Sequence, residues 1–351
     1  MKLGIIGLPQ SGKTTIFNAL TRGNTPTTSS AGRMEVHTAV VDVPDARVDR
    51  LSAMFNPRKT IYAKVTYADI AGLEGGGKAN ISGQLLNQLT QMEGFLLVVR
   101  AFANDNVPHP AGSVDPKRDL EGMYSELLLN DLITVERKLE RLIEERKKGG
   151  TDKTINERQT ALFTRLNEAL NANTPLRKLD LGADESRELA SFGLLTRKPL
   201  MTVFNLGEGQ QAPELELDHP STTLMGQLEM EIAQLGPEDA AVFMKEYGIA
   251  EFGLSRMIRL SYDLLQLQSF FTVGEDEVRA WTVNRGATAL EAAGAIHTDL
   301  QHGFVRAEVV AYEDLVSLGG MNEAKTKGKL RLEGKEYPVQ DGDIVHVRFN
   351  L

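Results

Sequence analysis

The chain has 351 residues, with 39 Lys and Arg against 48 Asp and Glu for a formal net charge of -9, 41% hydrophobic residues and no cysteine. That is the composition of a soluble protein of about two to three domains with enough apolar material for a real core. It excludes a disulfide scaffold, a thiolate zinc site and a cysteine nucleophile. Its acidic total opposes specific or indiscriminate binding to DNA and to anionic membranes, while leaving room for a local basic face to dock on RNA.

The start, Met1 to Pro9, is apolar only briefly before Gly and Pro interrupt it, which is not the h-region of a signal peptide. Lys2 to Ile6 is a short apolar run, Gly7 to Thr15 is punctuated by glycine, and Ile16 to Leu20 resumes a helical apolar pattern, predicting strand, loop and helix. Thr21 to Gly32, rich in Thr, Ser, Gly and Pro, reads as a surface loop. Val36 to Val43 and Ile61 to Ile70 read as strands separated by an amphipathic stretch around Arg47 to Phe55. Glycines 72, 75, 76, 77 and 83 follow, and Phe95 to Val99 is a continuous apolar run suited to a buried parallel strand. That run is also the longest apolar one noted and falls far short of a bilayer span, so a cytoplasmic protein is expected. The alternation predicts a parallel α/β sheet.

From Asp119 the pattern is helical: Leu128, Leu132, Val135, Leu139 and Leu142 step by four and three with charges between them, as in a coiled-coil seam. Lys147-Lys148-Gly149-Gly150 breaks it, Thr151 or Asp152 can cap a new helix, and Ile155, Leu162, Leu166 and Leu170 form the return arm of a helical hairpin. The α/β pattern resumes with a strand at Pro199 to Asn205 and a helix-like Leu224 to Leu235. After Gln268, short strands around Phe270, Val278, Phe304, Lys329 and Ile344 describe a small, mostly β domain in which Phe270, Phe271 and Trp281 are expected to be core. The expected division is a nucleotide-binding domain over 1–118 and 197–267, an inserted helical coiled-coil domain over 119–196, and a terminal domain over 268–351.

Gly7-Leu8-Pro9-Gln10-Ser11-Gly12-Lys13-Thr14 fits G-x-x-x-x-G-K-[ST] in the required place, after a strand and opening a helix. Backbone N–H groups from Gly7 through Thr15, including those of Gln10, Ser11 and Gly12, would wrap the phosphates, and Pro9 shapes the turn. Lys13 is expected on the β- and γ-phosphates and Thr14 Oγ on Mg²⁺. Asp69 emerges at the carboxyl end of a strand, where it suits the acidic partner of Mg²⁺, with the Gly72 N–H free for the γ-phosphate. Asn205-Leu206-Gly207-Glu208 closes the third strand where a guanine-specific protein carries N-K-x-D. Leu206 and Glu208 break that pattern, and Asn205 has the amide to pair with adenine N6 and N7, or else caps the loop. ATP over GTP is the expectation. Leu73 stands where related hydrolases place a water-orienting Gln, so unassisted turnover of roughly 10⁻³ per second or less is expected. His109 is a candidate replacement, or a bystander. The basic cluster Arg137, Lys138, Arg141, Arg146, Lys147 and Lys148 is balanced by Glu136, Glu140, Glu144 and Glu145 and reads as a solvated helix face.

Taken together, Gly7 to Thr15, Val43-Pro44-Asp45-Ala46-Arg47, Asp69 to Leu73, Gly112 to Pro116 and Asn205 to Glu208 resemble the YchF-type Obg-like ATPases. So do the terminal stretches Phe270 to Gly274, Gly303 to Val309, Leu330 to Lys335 and Val339 to His346. The resemblance implies a P-loop, G-domain-like α/β fold, an inserted coiled-coil arm and a C-terminal TGS domain of β-grasp type. It also implies ATP preferred to GTP, association with ribosomes, and a loop histidine before G-S-V-D-P that takes part in hydrolysis, matching His109.

Three departures stand out. Gln10 and Ser11 replace the usual Asn-Val, and because that Asn is linked to a bound potassium ion, potassium activation is not expected here. Thr25 to Arg33 does not reproduce the usual aromatic first switch, and Met225-Gly226-Gln227 replaces Ser-Ala-Lys. The leading expectation is a Mg²⁺-dependent ATPase that gates binding to a ribosome or ribosomal RNA partner. The rivals are a nucleotide-sensing docking module with little hydrolysis and a GTP-preferring GTPase.

Overall fold

The computed structural model describes residues 1–23, 36–71, 81, 83–149, 152–246 and 251–350. The first-switch segment Thr25 to Arg33, Gly72 and Leu73 lie outside the described residues.

In chain order, β1 (Lys2–Gly7) leads through the glycine loop into α1 (Lys13–Thr21), followed by β2 (Val36–Asp42), α2 (Ala46–Phe55), β3 (Lys59–Ile61), β4 (Lys64–Ile70), α3 (Gly83–Thr90) and β5 (Gly94–Ala101). The helical pair is α4 (Pro116–Lys148) and α5 (Lys153–Asn171), and a short α6 (Ala183–Leu189) precedes β6 (Leu200–Leu206), β7 (Ser221–Leu224), α7 (Gly226–Ala233), α8 (Pro237–Glu246) and α9 (Gly253–Leu264). The carboxyl-terminal part holds β8 (Leu267–Val273), β9 (Glu277–Asn284), α10 (Ala289–Ile296), α11 (Thr298–His302), β10 (Phe304–Ala311), α12 (Tyr312–Leu318), α13 (Met321–Thr326), β11 (Arg331–Glu333) and β12 (Asp343–Phe349).

The chain forms two compact units, Met1–Ala39 with Thr66–Leu254, and Val40–Val65 with Ser255–Leu351. The first is the expected α/β fold: among the described residues the sheet runs β2-β4-β1-β5-β6-β7, and β1 lies in parallel register between β4 and β5. β5 is buried at every position but its last, which is why its sequence is an unbroken apolar run. One core joins Ile6, Phe95, Leu97 and Leu200 of the sheet to Leu85 and Leu89 of α3 and to Leu120, Met123 and Leu127 of α4.

That last contact shifts the start of the arm. Asp115 caps α4 by accepting from Arg118 N, Pro116 follows, and the helix runs unbroken for 33 residues to Gly149. Its first turns belong to the sheet's core; beyond them Leu128, Val135 and Leu142 pack with Leu162, Phe163 and Leu166 of α5, as the heptad spacing predicts. Each such buried Leu or Phe contributes about 1.5–3 kcal/mol. At the arm's root the carboxylate of Asp131, fully buried, accepts from Leu195 N at 2.8 Å, Thr196 N at 2.7 Å and Thr196 Oγ1 at 2.6 Å. Burial raises its pKa and these three donors oppose the rise.

The second unit differs from the expected division, because it takes in Val40–Val65. The reason is pairing and charge: β3 adds in parallel to β9, and the Arg47 guanidinium ion-pairs with Asp341 at 2.8 Å while holding Asp45. Its sheet runs β11-β10-β12-β8-β9-β3, with Ala289, Ala292 and Ala293 of α10 packed on Phe270, Val309 and Val345. Phe270 and Phe271 are fully buried, as expected. No described helix is long and apolar enough to cross a membrane.

Candidate nucleotide site

β1 ends in the middle of the sheet, so the loop after it opens at the carboxyl edge of the strands. Gln10 takes a left-handed conformation (φ 61°), and Gly12, also left-handed at φ 92°, caps α1 without a side chain. The first N–H groups of α1 are therefore left for an anion. A cleft of about 550 Å³ is lined by Gln10, Gly12, Lys13, Thr14 and Thr15, by Phe102, Ala103, Asn104 and Val107, and by Asn205, Leu206, Gly207, Glu208, Met225, Gln227, Leu228 and Glu231. Gly7, Pro9 and Ser11 of the same loop are not among the lining residues.

The Lys13 ammonium donates to Gly7 O at 2.9 Å and Leu8 O at 2.8 Å, folded over the turn. Burial lowers its pKa to about 8, partly opposed by the Asp69 carboxylate. Thr14 Oγ1 donates to Asp69 Oδ2 at 2.7 Å, so the two residues expected to share Mg²⁺ meet across 55 residues of sequence. Asp69 is buried and its second oxygen, Oδ1, has no hydrogen-bond partner. A hydroxyl and a half-satisfied carboxylate are the hard oxygen donors that Mg²⁺ takes when phosphates supply the rest, and the residues fit that ion.

Asn205 lines the cleft, and its amide is also bonded to backbone. Its Nδ2 donates to Ser11 O at 3.0 Å and its Oδ1 accepts from Gly226 N at 2.9 Å. Both ends of the amide bond to backbone, so Asn205 braces the phosphate loop against the start of α7, and these two bonds use one of its two N–H donors and one of its two oxygen lone pairs. Leu206 and Glu208 do line the cleft. Gln227, which the sequence marks only as a departure from Ser-Ala-Lys, and Glu231, which it does not mark, line the cleft one helical turn apart on α7, where Gln227 Nε2 donates to Glu231 Oε1 at 2.7 Å. Their i, i+4 spacing on a helix that starts at the cleft was the available signal. The sequence reading missed Arg100, buried at the end of β5, whose Nε and Nη2 donate to Phe102 O and Val107 O and so hold the cleft wall.

His109 is not brought to the cleft. Its side chain is buried, its Nδ1 accepts from Ala111 N at 3.1 Å, and its Nε2 lies 2.8 Å from Asp119 Oδ2. With Asp119, Leu8, Pro9 and Ser11 it lines a separate space of about 10 Å³ behind the phosphate loop. Another histidine imitates a hydrolytic triad: His219 Nε2 is 2.8 Å from Thr202 Oγ1 and Nδ1 is 2.8 Å from Asp218. Thr202 is fully buried, so no substrate reaches it, and with Tyr124 and Arg177 this network is a brace at the root of the arm.

A phosphate loop opening a helix at the carboxyl edge of a parallel sheet, with Lys13 in place and Thr14 bonded to an acidic strand-end residue, defines a P-loop nucleotide-binding protein. Comparison with known proteins narrows the class. Residues 2–138 match a family model described as "50S ribosome-binding GTPase", and residues 267–350 match YchF-GTPase_C, described as a protein of unknown function (DUF933). The chain is 38% identical to the "Ribosome-binding ATPase YchF" of Bacillus subtilis, covering 99% of each chain, and 40% identical to that of Escherichia coli O157:H7, covering 100% of this chain and 99% of the other. The structure of the Schizosaccharomyces pombe YchF GTPase superposes with a TM-score of 0.87 at 31% identity, covering 99% of this chain and 97% of that one. The chain belongs to the YchF family.

Proposed function

We propose that the chain is a Mg²⁺-dependent ATPase of slow intrinsic turnover that acts in the cytoplasm as a nucleotide-controlled, ribosome-associated switch. The observation that carries this reading is the Thr14–Asp69 couple beside Lys13 at the sheet edge. The bacterial relatives bear the name ribosome-binding ATPase, which supports the ribosome as partner, through its RNA or its proteins.

ATP over GTP is supported by the base end of the cleft. Glu208 and Glu231 supply acceptors, which the amino group of either purine can use. The Gly226 N–H, a donor that could meet a guanine carbonyl oxygen, is consumed by Asn205.

Bound Mg²⁺ would neutralise charge on the β- and γ-phosphate oxygens, held by Thr14 and Asp69. Lys13 would leave the carbonyls of Gly7 and Leu8 for the phosphates, and the N–H groups at the start of α1 would hold the γ-phosphate in line for water. His109 would place that water once it leaves its pairing with Asp119. Its resting position outside the cleft supports slow turnover without a partner, and equally the second reading, a nucleotide sensor that hardly hydrolyses. Gln10 at the position of the usual Asn supports activity without potassium.

The test is equilibrium binding of fluorescent ATP and GTP, each with Mg²⁺, to wild type and Lys13→Ala, followed by single-turnover hydrolysis with saturating ribosomes. ATP preference lost in the variant, with ribosome-stimulated turnover, supports the proposal. GTP preference overturns the base reading, and no hydrolysis with ribosomes leaves the sensor.

A further inference from the structure

We propose that Asp119 is a positioning residue for hydrolysis: it holds His109 in its resting place behind the phosphate loop and ties that place to the helical arm. The inference rests on the assignment of His109 as the water-placing group.

The Nδ1 of His109 accepts from Ala111 N, so the neutral ring carries its proton on Nε2, which lies 2.8 Å from Asp119 Oδ2. Both side chains are at most 5% exposed, so the contact is made away from water. The contact is 2.8 Å long without the alignment of a hydrogen bond. The other oxygen, Asp119 Oδ1, accepts from Arg118 Nε at 3.0 Å and Nη2 at 2.8 Å. The same guanidinium donates to Ser113 Oγ and Ser113 O, closing the loop that carries His109. The buried Arg100 adds attraction for Asp119 from the end of β5. The carboxylate is thus fixed in rotation, with one oxygen on the loop's arginine and one on the histidine.

Asp119 stands on the first turn of α4, and α4 continues without a break into the arm, a rod of about 50 Å at 1.5 Å per residue. Leu120 and Met123 beside it are seated in the sheet's core, whereas Val135 and Leu142 belong to the arm's core. A partner that bends or twists α4 where it leaves the sheet's core would strain the Asp119–His109 contact at its first turn, and His109 would be released or retained accordingly. The phosphate loop lies directly on this pair, through Leu8, Pro9 and Ser11.

The experiment measures single-turnover ATP hydrolysis by the full chain, with and without purified ribosomes, in wild type, Asp119→Asn, Asp119→Glu, His109→Ala and the His109→Ala/Asp119→Asn double variant. Asp119→Asn keeps the shape and removes the charge. It should raise ribosome-free turnover several-fold and shrink the ratio of stimulated to unstimulated rate, with ATP affinity unchanged, while Asp119→Glu, which keeps the charge, should lose less of that ratio than Asp119→Asn. In the His109→Ala background, Asp119→Asn should have no further effect. A wild-type ratio in Asp119→Asn, or an equal fall in both rates together with a lowered melting temperature, would show a merely structural residue and overturn the proposal. Wild-type turnover in His109→Ala overturns the assignment of His109 and this inference with it, whereas a slow His109→Ala with an unresponsive Asp119→Asn overturns the inference alone.

Discussion

The lowered pKa of Lys13 makes nucleotide affinity depend on pH in a way that can be calculated. In the free protein burial holds the ammonium at about pKa 8. A bound triphosphate replaces two neutral carbonyls with a polyanion and returns the group to its ordinary range, so binding above pH 8 must take up a proton. Affinity is therefore full below pH 8 and falls as pH rises through it: about tenfold, or about 1.4 kcal/mol, between pH 7 and pH 9. The assay is a fluorescence titration of Mg-ATP across that range. Lys13→Met should bind more weakly at every pH and show no such slope, which separates Lys13 from any titration of the ligand. The nucleotide-free fold should show the opposite trend, gaining stability from about pH 8 toward 10.5, where unfolded Lys13 still holds its proton. A flat wild-type profile, or an equal slope in Lys13→Met, would refute the argument that burial has loosened this proton.

Asn205→Ala strands the Ser11 carbonyl and the Gly226 N–H, and at about 1–3 kcal/mol for each buried orphan it should cost about 2–6 kcal/mol in denaturant unfolding of the nucleotide-free chain; a loss below about 1 would remove the brace. Asp69→Asn should abolish the gain in ATP affinity on adding Mg²⁺ while leaving metal-free binding intact, read from paired titrations with and without chelator; an unchanged metal midpoint would place Mg²⁺ elsewhere. At the root of the arm, burial, aided by Arg177 and Lys178 and opposed by Asp218, lowers the His219 pKa below its usual 6.5. Its contribution is full above that value and is lost as pH falls, so wild type should lose more unfolding stability between pH 7 and pH 5 than His219→Gln does.

The sheet was legible because its strands are buried on both faces and so read as unbroken apolar runs, and the arm because α4 and α5 keep a heptad seam. The phosphate loop was legible because its chemistry is local. What escaped were contacts between residues far apart in sequence. β3 is three residues long and pairs with Glu277 to Arg279, so nothing within Val40–Val65 announces the unit it joins. Nothing near Asn205 in sequence shows that Ser11, 194 residues away, lies 3.0 Å from its amide. His109 and Asp119 are only ten residues apart, but the turn that folds one over the other is closed by Gly112 N–H on His109 O and by Arg118 on Ser113 O, and no periodicity records that.

The same distinction accounts for how the site survives its unusual residues. Gln10, Ser11 and the Met225-Gly226-Gln227 stretch depart from the family's usual side chains, yet the brace through Asn205 uses only the carbonyl of Ser11 and the N–H of Gly226. Side chains at Gln10 and Ser11 can vary without cutting it. The glycines cannot: a Cβ on Gly12 would lie 2.1 Å from Asn205 Nδ2, and one on Gly226 would lie 2.8 Å from Asn205 Oδ1. Gly12 is also held at φ 92°, where a Cβ is strained in any surroundings. The glycine before Lys13 is thus required twice, once so that N–H groups can approach phosphate and once so that Asn205 can reach the loop. Gly12, Asn205 and Gly226 therefore act as one unit. Replacing any of them should loosen the loop in the same way, and a second replacement within the three should cost far less than the first.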